Sequence, residues 1–136
     1  MKGAVLLTSD AEVLAKLARL LPGVSQDEWL GCDVERITAD EMTLVERGSG
    51  HRLLMYPAFG NGLEWEYRNP PHVPVPGVPL PPMDSILGYN VDCRWEDLFA
   101  RVVREVAEFS GEAAWVLDQS NHVWDARNVD PECVRL

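Results

Sequence analysis

Seven prolines fall between Asn69 and Asp84, at positions 70, 71, 74, 76, 79, 81 and 82, and the stretch carries almost no charge. Proline has no amide hydrogen to donate, and its ring fixes φ near about −65°. At this density the segment can be neither a helix nor a central strand, and polyproline II is its favoured local form. Whatever fold the chain adopts must carry residues 69–84 as a long, stiff surface loop. Val73, Val75, Val78 and Leu80 make that loop more apolar than a solvated linker. A strap packed across a sheet or helix is expected, with a docking surface as the alternative. No arginine or lysine flanks the prolines closely enough to orient an SH3-type ligand.

Either side of the strap, hydrophobic periodicity sets the elements. Gly3 to Leu7 reads as a short buried strand, and Thr8, Ser9 and Asp10 supply an N-cap. Val13, Leu14, Leu17, Leu20 and Leu21 then recur at helical spacing until Pro22-Gly23. Residues 32–38, 42–47, 52–56 and 63–68 form four strand-like runs, separated by the turn signals 39–41, Gly48-Ser49-Gly50 and 57–62. In the last run Leu63, Trp65 and Tyr67 alternate with Glu64 and Glu66, which predicts one packed face and one wet face. Beyond the strap, residues 85–91 return as a strand, and Asp92 is placed to cap a helix from about Trp95 to Phe109 that Gly111 ends. Residues 113–117 and 122–125 flank Asp118-Gln119-Ser120-Asn121, a hairpin signal.

The chain has 136 residues, ordinary for one domain with one core, and 46% of them are hydrophobic, too many for a disordered chain. No composition shift marks a boundary, so residues 1–136 read as a single domain with the strap inside it. The expected class is α+β: a mostly antiparallel sheet of about six or seven strands packed against two helices, with a long proline-rich surface loop. The N-terminal apolar run, Ala4 to Leu7, is too short for a secretory signal, and no run is long enough for a membrane span. A cytoplasmic location, with no membrane partner, is expected.

Twenty-two acidic residues against twelve basic ones give a formal charge of −10. Binding to a phosphate backbone needs the opposite field, so no direct nucleic-acid role is expected. The excess lies mainly in residues 1–50 and 92–136 and does not form a tail. It keeps the protein soluble, and it is also a field that would attract a basic protein.

Chemistry is sparsely signalled. His51, His72 and His122 lie in three separate segments, and Cys32, Cys93 and Cys133 are odd in number and form no C-x-x-C pair. Neither a metal site nor a disulfide framework is expected. Asp118-x-Ser120-x-His122 lacks the glycine and closing glutamate of a calcium loop. Gly60-x-Gly62 lacks the third glycine of a nucleotide cradle, so no cofactor is expected. A cysteine could still meet a distant histidine, and Glu64 with Glu66 or Asp118 with Asp125 could divide acid and base roles. Nothing in the sequence marks any of these groups as activated, and no catalytic residue is assigned.

Five tryptophans stand at 29, 65, 95, 115 and 124. The strand pattern puts Trp65 and Trp115 in the core, whereas Trp29, in the loop Asp27-Glu28-Trp29, is the candidate for an exposed anchor. Asp27, Glu28, Trp29, Glu64 and Glu66 are therefore the expected partner contacts, chosen for exposure and charge.

The C-terminal third carries Trp95-Glu96-Asp97-Leu98-Phe99 running to Phe109, then Ala114-Trp115-Val116-Leu117-Asp118, Val123-Trp124-Asp125 and Val129-Asp130-Pro131-Glu132. This helix, hairpin and ending resemble small immunity proteins of bacterial polymorphic-toxin systems. The resemblance implies an acidic, non-enzymatic protein that occludes a basic secreted toxin, often a nuclease; it transfers a role and no contact residue. Two other readings stay open. One is a regulatory or scaffold module, such as a homodimer through a free sheet edge; the other is a small enzyme with a pocket under the proline-rich loop.

Overall fold

The computed structural model describes residues 2–23 and 29–136. The protein is α+β, with an eight-stranded sheet that is antiparallel except at one edge. In chain order the elements are β1 (Gly3–Thr8), α1 (Val13–Leu20), β2 (Cys32–Ile37), β3 (Met42–Glu46), β4 (Arg52–Pro57) and α2 (Trp65–Arg68). They continue with β5 (Val73–Pro74), β6 (Leu87–Asp92), α3 (Glu96–Ser110), β7 (Ala114–Leu117) and β8 (His122–Asp125). The sheet order is β2-β3-β4-β6-β1-β7-β8-β5, so α3 carries the chain from β6 across β1 to β7.

Successive residues of a strand point to opposite faces, and here both faces are covered. On one face α1 contributes Val13, Leu14 and Leu17, and α3 contributes Leu98, Phe99, Val102 and Val106. These pack against Leu6, Met42, Leu44, Leu53, Met55, Tyr89, Val91 and Val116 of the strands. The other face has a smaller core of Leu7, Ala58, Tyr67, Ile86, Leu117 and Val123, with Val5, Met83 and Trp115 packed against it. Thus Leu6 and Leu7, adjacent in sequence, serve different cores.

Among the described residues the sheet has eight strands, slightly more than expected, and there are three α-helices in place of two, with a 3-10 turn at Leu21–Gly23 after α1. The strap contributes a strand of its own, two residues long. Val73 and Val75 donate their amides to Asn121 and Val123, and Pro74, with no amide hydrogen, stands between them at the sheet edge. The Trp115 indole N–H donates to the Pro79 carbonyl at 3.0 Å, tying the strap to β7.

Residues 63–68 correct the sequence expectation. They are no strand: Trp65–Arg68 form a single helical turn, in which the Arg68 and Asn69 amides donate to the Glu64 and Trp65 carbonyls. Gly60 and Gly62 enter the turn at positive φ, a conformation that costs glycine little. The Asn61 Oδ1 accepts the Leu63 amide, and the Glu64 carboxylate accepts the Gly60 amide at 2.6 Å. The expected Asp92 cap is also corrected: Asp92 closes β6 opposite Gly3 and Leu54, and Trp95 occupies the N-cap of α3 without a capping side chain. Gly111 ends α3 at φ 73°, as its position suggests.

Candidate functional site

The short helix α2 is the candidate site, and its position follows from one glycine. Gly88 of β6 lies opposite Leu7 of β1, on the sheet face away from α1 and α3. A Cβ there would come within 2.8 Å of the Tyr67 ring. The missing side chain is what lets Tyr67 lie against the strand, where it is only 3% exposed. Arg68, beside it, turns inward and donates from Nε and Nη2 to the Ile86 carbonyl at 3.0 and 2.8 Å. His72 Nε2 meets the Tyr67 carbonyl at 2.8 Å, which makes that nitrogen the protonated one. One side of the turn is thereby fixed to the sheet and the strap.

The opposite side projects into solvent. Trp65 is 56% exposed and Leu63 44%, which corrects the core position expected for Trp65. A helical turn cannot put residues 63, 65 and 67 on one face, so burying Tyr67 turns the indole outward. Glu66 is exposed and Glu64 half-buried. The Glu64 carboxyl is held below its ordinary value by its own amide and that of Gly60, so Glu64 is charged at neutral pH. Two apolar side chains and two carboxylates therefore share one small knuckle.

Concave surfaces flank it. On one side Glu64, Trp65 and Arg68 face Asn69, Met83 and Asp84 across a cleft of about 630 Å³. On the other, Leu63, Glu66 and Tyr67 join Asn61, Ala58, Val5, Asn90 and Gln119 around a more enclosed cavity of about 400 Å³.

Of the expected contacts, Glu64 and Glu66 meet here. Trp29 does not: it is 7% exposed and belongs to the larger core, with its carbonyl accepting the Cys32 amide. A buried indole offers a partner nothing, so its expected role as an exposed anchor is corrected. Asp27 and Glu28 lie outside the described residues. Leu63 and Trp65 are the surface residues that sequence reasoning missed. The signal that could have found them was Asn61 between two glycines, a pattern that favours a turn over continued pairing.

Among the groups considered for catalysis, Asp118 and the three cysteines are constrained by their surroundings. The Asp118 carboxylate accepts four N–H groups: the Ser120 and His122 amides on Oδ1, and the Trp124 indole and Arg135 amide on Oδ2. Cys133, Ser120 and His122 do line a common cleft beside the strap. However, a hydrogen bond to Asp130 and the charges of Asp130 and Glu132 push the Cys133 thiol up. Burial raises Cys32, and it pushes Cys93 up to about 11. All three thiols are thus biased away from the reactive thiolate. Among the described residues no cluster of three or more His, Cys, Asp or Glu side chains could hold a metal ion. No described helix is long and apolar enough to cross a membrane.

Comparison of the chain with protein-family models, curated proteins and solved structures finds no match in any of the three.

Proposed function

We propose that this protein is a non-enzymatic, stoichiometric binder of a basic protein, docking through α2, and most concretely an immunity protein that neutralises a cognate bacterial toxin in the cytoplasm. The observation that carries the reading is Trp65. It is a half-exposed tryptophan on a turn fixed from beneath by Tyr67 and Arg68, with Leu63, Glu64 and Glu66 around it. Tryptophan on rigid support is the usual centre of a binding hot spot, because it adds apolar area at little entropic cost. The neighbouring carboxylates and the chain's net charge of −10 select a basic partner.

The test is to express the adjacent open reading frame in a heterologous host, with and without this protein, following survival and co-purification. Rescue with a one-to-one complex is expected. Trp65→Ala should weaken that complex by about 30-fold or more, the effect of losing a hot-spot residue, while leaving the thermal unfolding midpoint nearly unchanged. A harmless neighbour that forms no complex overturns the toxin reading. A complex indifferent to Trp65→Ala overturns α2 as the docking site.

A further inference from the structure

The cavity beside α2 has a chemical character of its own. Its floor is the cross-strand pair Val5 and Asn90, and its walls are Ala58, Asn61 and Leu63 on one side and Glu66, Tyr67 and Gln119 on the others. The Tyr67 hydroxyl is buried without a hydrogen-bond partner among the described residues. Burial pushes this phenol up; Arg68 and the Gly88 backbone lie near enough to soften the rise without forming a bond of proper geometry. That hydroxyl has almost no accessible surface, so Tyr67 serves as a wall of the cavity and not as a group offered to a ligand. The side chain of Asn90 is also without a hydrogen bond among the described residues. Gln119 commits its Nε2 to the Gly3 carbonyl at 2.7 Å, which leaves its Oε1 free to accept.

The cavity thus offers oxygen acceptors from Asn90 Oδ1, Gln119 Oε1 and the Glu66 carboxylate, and Glu66 is its one charged lining residue. Guanidinium carries five N–H donors and no acceptor, and one positive charge for the one carboxylate. Val5, Ala58 and Leu63 offer apolar surface to the methylenes of a side chain.

We infer that this cavity is a receptor for an arginine side chain, presented by the basic partner when it docks on Trp65. The inference rests on the docking reading and names the chemistry that would give it specificity. Lysine fills it less well, since a compact ammonium cannot reach several spread acceptors at once.

The test needs no partner. The free protein is titrated with N-acetyl-arginine methylamide, following the side-chain amide signals of Asn61, Asn90 and Gln119 by NMR; the citrulline and lysine counterparts are run alongside. Saturable shifts confined to these residues are expected, with a dissociation constant of about 1 mM. The citrulline probe, of the same shape but uncharged, should bind about tenfold more weakly. Glu66→Gln should reduce arginine binding to the citrulline level without altering the remaining spectrum. No saturable shift, or equal binding of arginine and citrulline, overturns the arginine receptor and leaves the Trp65 experiment to decide docking separately. Preference for lysine would also overturn it.

Discussion

Asp10 is the residue whose surroundings say most about how the larger core is closed. Its carboxylate accepts the Glu12 amide at the start of α1, the Lys16 ammonium at 2.8 Å and the Ser110 hydroxyl at the end of α3. Its carbonyl accepts the Tyr89 hydroxyl at 2.7 Å. Burial alone would raise the Asp10 carboxyl, but the bonds from Lys16, Glu12 and Ser110 outweigh it and hold the group below its ordinary value. A depressed carboxylate contributes stability that is fully present above the unfolded value, near about 3.9, and is lost as pH falls through the folded one. Asp10→Asn should cost about 2 kcal/mol at pH 7, the scale of a hydrogen bond to a charged group. The gap from the parent protein should stay full above about pH 5 and narrow below about pH 4. Urea denaturation of both proteins across that range measures it, and a gap independent of pH would show that the carboxylate's charge is not what stabilises.

At the scale of elements, much of the fold was legible because local and tertiary signals agree. The spacing of Leu98, Phe99, Val102 and Val106 and the stop at Gly111 define α3 without help from the rest of the chain. The glycine turn at 48–50 and the Asp118 turn likewise fix their hairpins. Residues 63–68 were misread because a two-residue alternation over so short a run is equally compatible with one helical turn. What decides between them is Gly88, twenty-one residues beyond Tyr67 and informative only once β6 is paired. Half of the candidate site was accordingly visible, as the carboxylates Glu64 and Glu66, while its apolar half was assigned to the core. Trp29 went the opposite way, since an acidic loop sequence does not disclose that its indole turns inward. The sheet edges carry a prediction of their own. β5 is two residues long and contains Pro74, and β2 has a register irregularity between Val34 and Arg36 and bears Asp33, Glu35 and Arg36. Short, bulged and charged edges resist pairing with another copy, which weighs against a homodimer built edge to edge. The parent should sediment as a monomer, and Glu35→Val with Arg36→Val should introduce concentration-dependent association. A parent dimer insensitive to β2 substitutions would overturn this reading of the edges.

For the whole molecule, the surplus of negative charge of −10 would set how the proposed basic partner arrives more than how firmly it stays. A field of this sign accelerates encounter with a basic surface, and salt screens it over a Debye length of about 10 Å at 0.1 M. The association rate of the complex should therefore fall by about tenfold or more between low and physiological salt, with dissociation changing far less. Stopped-flow mixing separates the two rates. A salt effect confined to dissociation would mean that short-range contacts alone govern binding.

The arrangement around Gly88 also separates what must stay constant from what is free to vary. Tyr67 and Gly88 are buried against each other, and substitution of either disturbs the smaller core. Leu63, Trp65 and Glu66 stand outside that contact and can be exchanged at little cost to folding. If α2 is the docking site as proposed, rewriting a few letters of one exposed turn would change what is recognised, each variant arriving on an already folded protein.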